Sequence, residues 1–234
     1  MDPKAAAVIL ARGGYGLLRL LDRITLEGLQ RRPKPIVGFS DGTLLLAMAA
    51  QAGLTTIHGP VVTQLGTLPA HDFSALVHLL EDPEPGVLLE GLKSLTPGRA
   101  EGSLLGGNLE VFSRLIGTPF LPDLKGAILL IEDVGERPYR LDRLLTHLTL
   151  AGIFQQVSAV LVGDFIACEE PAPSRTPFPT AEDVVCERLA RLTIPVALGA
   201  PVGHGMRNRA LPYGAHVVLD TQAGTLTALT GVVR

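Results

Sequence analysis

The stretch VGFSDGTLLLAMAA, residues 37–50, carries one hydroxyl where a short apolar run meets a helical one. Glycines flank it, so Gly38-Phe39-Ser40-Asp41-Gly42 reads as G-x-S-x-G. A serine on such a strand-to-helix elbow projects its hydroxyl beyond the sheet, next to backbone N–H groups that the first helical turn leaves unpaired. The N–H of Asp41 would then face a developing oxyanion. Serine is also a favoured helix N-cap, and the motif alone fits both roles.

A nucleophilic serine needs a base, and there are six histidines. His71, His78 and His147 fall on predicted helices and His216 on a tail strand, where they read as packing or solvated residues. His58, in IHGPV, ends a predicted strand of the sheet that carries Ser40. His204, in PVGHGMRN, lies between glycines in a loop from which it can reach a cleft. The residue pattern leaves the choice between these two open. The base in turn needs an acid to orient it. Glu132 and Asp133 end the apolar run of LLIEDVGE, at the strand end where α/β sites gather. Successive strand residues face opposite ways, so one of the two can aim at a given cleft. The order Ser, acid, His is that of the α/β-hydrolases. ARGGYG, residues 11–16, is a second glycine-rich turn between a strand and a helix. Its bare N–H groups could hold a phosphate or complete an oxyanion hole. Its spacing fits neither G-x-G-x-x-G nor a P-loop.

These groups must be positioned by alternating elements. Apolar runs at 5–11, 35–39 and 55–62 read as strands, and helical patterns follow each of them, over residues 15–24, 41–53 and 71–82. Such alternation implies a parallel sheet with helices on its faces. The stretch 81–103 is rich in Pro, Gly and charge and reads as a connection followed by strands, with a boundary within 83–97. Beyond it come a helix entered through Gly106 and Gly107, a strand ending at Glu132 and Asp133, a helix opened by Pro138, a strand over 157–165, a proline-rich loop over 168–183, a helix over 181–192, and a tail alternating like antiparallel strands with turns at YG and QAG.

Bulk composition narrows the classes. The chain has 234 residues, 47% of them hydrophobic, and a formal net charge of −3. Lys and Arg form no basic stripe, which argues against a nucleic-acid partner. Cys168 and Cys186 form no CxxC or Cys/His cluster, which argues against structural zinc and fits a reducing compartment. No apolar run approaches the roughly 18 residues of a membrane span, so a soluble, cytoplasmic protein is expected.

Six segments, ARGGYG, GFSDGT, HGPVV, LLGGNLEVFSRLIGTPF, LLIEDVGERPYRLDRLLTHL and GHGMRNRALPYGA, together resemble the LD-carboxypeptidase family of serine peptidases, which also includes microcin-immunity peptidases. They run nearly the whole chain in family order. The resemblance implies an N-terminal flavodoxin- or Rossmann-like α/β domain (1–84), a linker (85–98) and a mixed, barrel-like C-terminal domain (99–234), with the site between the domains. By motif, Ser40 matches the nucleophile, Glu132 the acid and His204 the base. Gly13, Gly14 and Asp41 match the oxyanion hole, and His58 and Asn208 match positions near the substrate. In an unliganded form Ser40 Oγ is expected within hydrogen-bond reach of His204, or slightly beyond.

The implied reaction releases the terminal D-alanine of muropeptide tetrapeptides during peptidoglycan recycling, with no metal or cofactor. A homodimer is also implied. The immunity branch, which cleaves peptidyl-nucleotides, holds its base with a tryptophan, and this chain has none. Family members begin with a further strand and helices ahead of ARGGYG, so the first sheet is expected to be short of that portion. The remaining alternative is an inactive, shortened homologue acting as a binding module, including a nucleotide binder that uses RGGYG.

Overall fold

The computed structural model describes residues 4–82, 86–170 and 179–232. Two sheets organise the chain. The first has the order β1-β2-β3-β10 and the second β4-β12-β11-β6-β7-β8-β9-β5.

In the first sheet β1 (Val8–Ile9), β2 (Ile36–Gly38) and β3 (Thr56–His58) pair in parallel. These are the three apolar runs of the N-terminal sequence, each too short and too apolar to be an exposed helix. Between β2 and β3, the 3-10 turn Ser40–Gly42 leads into α2 (Thr43–Gln51), which stops ahead of Gly53 at φ +74°. After β3 come α3 (Val62–Leu65) and α4 (Ala70–Glu81).

The leucine-rich segment after ARGGYG differs from the helix its spacing predicts. It forms a 3-10 turn over Leu17–Arg23 and then the short helix α1 (Leu26–Gln30). Of the residues in that turn only Leu21 is fully buried, while Leu18 and Leu20 stay exposed. Without a continuous buried face, tertiary packing does not sustain an α-helix there.

The second sheet is mixed. β6 (Arg99–Asn108), β7 (Ile128–Val134), β8 (Ala159–Ile166) and β9 (Val196–Leu198) run in parallel. β4 (Val87–Leu89), β5 (Lys93–Thr96), β11 (His216–Asp220) and β12 (Thr225–Ala228) are joined to it by antiparallel pairing. The helices are α5 (Leu109–Ser113), α6 (Pro138–Leu150), α7 (Ile153–Gln156) and α8 (Ala181–Leu189). β9 and α7 have no counterpart in the sequence reading. The expected barrel-like shape takes the form of an open sheet: β4 and β5 are its two ends, and no pairing closes it among the described residues. Gly106 and Gly107 end β6 instead of forming a turn. A Cβ at Gly106 would lie 2.1 Å from the Leu130 carbonyl oxygen, so the glycine permits close approach of β7. Residues 83–85 of the expected connection and 171–178 of the proline-rich loop lie outside the described residues.

The tail strand β10 (Leu211–Tyr213) crosses over. It pairs antiparallel with β3, Leu211 opposite His58, while the next strand, β11, pairs with β6 of the second sheet. Tyr213 is fully buried, and its hydroxyl both accepts from the Gly106 N–H at 3.1 Å and donates to the Gly106 carbonyl at 3.2 Å. The core follows this crossing. One buried cluster combines Leu44 and Met48 of α2 with Leu109 and Phe112 of α5. The other combines Val37 and Ile57 of the first sheet with Leu104, Leu130 and Leu161 of the second. Among the described residues no helix is long and apolar enough to cross a membrane.

Candidate active site

Ser40 has φ +59°, a left-handed conformation that costs a non-glycine residue roughly 1–3 kcal/mol. A simple N-cap has extended backbone, and here Phe39 occupies that position at φ −158°. The flanking glycines have a steric reason. A Cβ at Gly38 or at Gly42 would lie 2.6 Å from Leu10 Cδ1, so the bare positions let the elbow close onto the residue after β1 without displacing that side chain. Gly13, from the loop after β1, faces the hydroxyl: a Cβ there would be 3.0 Å from Ser40 Cβ and 3.1 Å from Oγ. Gly14, at φ +139°, turns toward Arg12. The Asp41 carboxylate accepts the Leu17 N–H at 2.9 Å and fastens this glycine loop to the elbow.

The two acids of β7 separate as strand alternation requires. Glu132 is fully buried, and its Oε2 lies 2.8 Å from His204 Nδ1. Its Oε1 has no hydrogen-bond partner among the described residues. Asp133 instead accepts from Asn108 Nδ2 at 3.0 Å, the Glu110 N–H at 2.9 Å and the Val134 N–H at 2.8 Å, so it anchors the start of α5. Burial pushes its carboxyl up to about 7, against the pull of those donors. Opposite Glu132, the β7–β8 register shifts: Ile131 pairs with Val162 but Asp133 with Phe165. That bulge holds Gly163 against Glu132, where a Cβ would be 3.1 Å from Glu132 Cβ and 2.5 Å from the Val202 oxygen.

His204 sits in the connection between β9 and β10, which spans from one sheet to the other. Gly203, at φ +130°, lets that loop lie on the acid, since a Cβ would be 2.7 Å from Glu132 Oε2. Asn208 is fully buried, accepting from the Gly203 N–H at 3.2 Å and donating to Gln64 Oε1 at 3.2 Å. Its amide is engaged within the protein and braces the loop. A second brace is Asp72 of α4, fully buried, which lies 2.7 Å from Arg209, 3.4 Å from Arg207 and 3.2 Å from His71. Sequence reasoning missed Asp72. Its only local signal is an acid in a helix's first turn, and nothing there reveals partners from the far end of the chain.

The His204 ring is 17% exposed, and Phe39, the residue before Ser40, packs on it with centroids 4.7 Å apart. Phe39 thus places the His204 ring beside the residue that precedes Ser40. No hydrogen bond joins Ser40 Oγ to His204, whose ring is bonded to Glu132. His58 lies on the other side of Phe39, ring centroids 6.1 Å apart. It is fully buried with both ring nitrogens unpartnered, and burial, then the neighbouring His204 charge, lowers it from 6.5 to about 3. Enclosure and a lowered pKa both make His58 a poor proton acceptor. Among the described residues no three His, Cys, Asp or Glu side chains are grouped as metal ligands.

Residues 1–59 match the LD-carboxypeptidase N-terminal domain and residues 101–219 the LD-carboxypeptidase C-terminal domain. The chain belongs to the LD-carboxypeptidase family. A Synechocystis protein named as a carboxypeptidase is 40% identical over 98% of this chain and 74% of its own length. The murein tetrapeptide carboxypeptidase of Pseudomonas aeruginosa is 36% identical over 93% of this chain and 73% of its own. The crystal structure of muramoyltetrapeptide carboxypeptidase from Oxalobacter formigenes superposes with a TM-score of 0.85 at 31% identity, covering 97% of this chain and 79% of that one. MccF in complex with glutamyl sulfamoyl guanosine has the same fold, with a TM-score of 0.86 at 22% identity, covering 100% of this chain and 78% of that one. This LD-carboxypeptidase family member combines the family's two-sheet α/β fold with a strained serine elbow and a pair formed by a buried Glu132 and a partly exposed His204.

Proposed function

We propose that the chain is a serine LD-carboxypeptidase that removes the terminal D-alanine from muropeptide tetrapeptides in peptidoglycan recycling. The observation that carries the reading is the Glu132–His204 pair, 2.8 Å apart, with the His204 ring packed at a tilt against Phe39, the residue before Ser40. The named activities of the Pseudomonas and Oxalobacter relatives support the substrate class.

In this mechanism His204 accepts the Ser40 proton as Oγ attacks the carbonyl of the third, L-centred stem residue. Glu132 fixes the imidazole tautomer through Nδ1 and stabilises the imidazolium that forms. The oxyanion is held by the N–H of Asp41 and by an N–H from Gly13 or Gly14, where the close approach of Gly13 to Ser40 supports the geometry. His204 then protonates the departing D-alanine amine, and water, deprotonated by the same histidine, hydrolyses the acyl-enzyme. The test is chromatography of a muropeptide tetrapeptide digest. Wild-type protein should yield tripeptide and free D-alanine, and Ser40→Ala should lower that release by about 10³-fold or more with its far-UV spectrum unchanged. Release at the wild-type rate by Ser40→Ala would remove the nucleophile assignment.

A further inference from the structure

A cleft of about 740 Å³ opens beside the serine elbow, lined by Arg12, Gly13, Tyr15, Arg19, Arg23 and Asp41 among others. Three guanidinium charges face one carboxylate, and that carboxylate already accepts the Leu17 N–H. Arg12 donates through Nε to the Gly13 carbonyl at 3.1 Å. None of the three arginines forms an ion pair among the described residues, which is also true of Arg31, Arg99, Arg137 and Arg143 elsewhere. Clustered like charges without a partner repel one another, and the arrangement gains when an anion occupies the cleft. Gly13 is shared between cleft and nucleophile: it lines the one and lies against Ser40 Oγ. The cleft also takes in Asp41 and Gly42, which follow Ser40, so it borders the serine elbow.

We propose that the Arg12–Arg19–Arg23 cleft binds the free terminal carboxylate of the substrate and so restricts the enzyme to chain ends. This rests on the peptidase reading above. A forked guanidinium matches a carboxylate in shape as well as charge, and a neutral amide at the same position forfeits both. An internal peptide bond presents no such carboxylate, so the cleft separates terminal from internal bonds without any bulky barrier.

The experiment uses Ser40→Ala protein, which binds without turnover, and calorimetric titration with a muropeptide tetrapeptide as the free acid and as its C-terminal amide. The acid should bind roughly tenfold or more tightly than the amide. Adding Arg19→Gln and Arg23→Gln should collapse that ratio toward one, and Arg12→Gln should reduce it. Both outer arginines are exposed, so the fold should persist, and far-UV circular dichroism checks this. Equal affinity for acid and amide, or a ratio that survives the arginine substitutions, overturns the proposal. So does binding of inorganic phosphate to these arginines without any acid-over-amide preference, which would assign the cleft to free phosphate. The hydrolytic reading fails separately, by absence of D-alanine release from wild-type protein.

Discussion

At Ser40 the local sequence motif is compatible with two roles, and the backbone distinguishes them. A cap would be extended, whereas Ser40 is left-handed and Phe39 holds the extended position. The same scale separates the two histidines that spacing left open. His204 is partly exposed and bonded to an acid, while His58 is enclosed and neutral. The state of His58 has a measurable consequence. Its pKa is depressed in the folded protein, so between about pH 3 and 6.5 the unfolded chain binds a proton that the folded one refuses. Its contribution to stability is complete above pH 6.5 and is lost as pH falls toward 3. In urea unfolding at pH 7 and pH 5, wild-type protein should lose more stability on acidification than His58→Phe, in which other groups titrate alike. Equal losses in the two proteins would contradict a neutral, enclosed His58.

At the scale of elements, what was legible was the set of local runs. Strands β1, β2, β3, β7 and β8 and helices α2, α4, α6 and α8 follow from apolar periodicity and from glycine and proline punctuation. Illegible features depend on distant partners. The 3-10 turn after ARGGYG forms because its leucines lack a common buried face, β9 is an unremarkable run until β8 and β5 flank it, and the β8 bulge exists only relative to β7. Local motifs offered Ser40 but left His58 against His204 and Glu132 against Asp133 open, and only the family resemblance chose between them. The braces Asp72 and Gln64 were not identifiable, since their roles come from contact with the 199–210 loop. That loop's position depends on those braces. Asp72→Ala should cost roughly 1.5–3 kcal/mol of stability by removing hydrogen bonds to charged partners. It should also lower kcat for D-alanine release more than it raises KM, because His204 is less well held over Ser40. Unchanged kcat with the expected stability loss would mean that the loop keeps its place without Asp72.

For the molecule as a whole, the β10 crossover makes the two sheets interdependent. Tyr213 pins the first sheet to Gly106 of the second, and both buried clusters draw on each. The serine elbow follows β2 of one sheet, Glu132 lies in β7 of the other, and His204 hangs on the span between them. The proposed site and the fold therefore share the same contacts. Thermal unfolding should be a single cooperative event, with far-UV circular dichroism and the near-UV tyrosine signal coincident in their midpoints. Two resolved transitions would show that the sheets fold separately.

In the proposed reaction Ser40 is acylated by the substrate with help from His204 and Glu132. Rapid-quench mass spectrometry of wild-type protein mixed with muropeptide tetrapeptide measures this directly. A transient adduct, equal in mass to the substrate less D-alanine, should form on the peptide containing Ser40. The adduct should be absent from Ser40→Ala and form about 10³-fold or more slowly in Glu132→Gln. D-alanine release without any adduct on that peptide, or an adduct that persists in Ser40→Ala, would contradict that reaction.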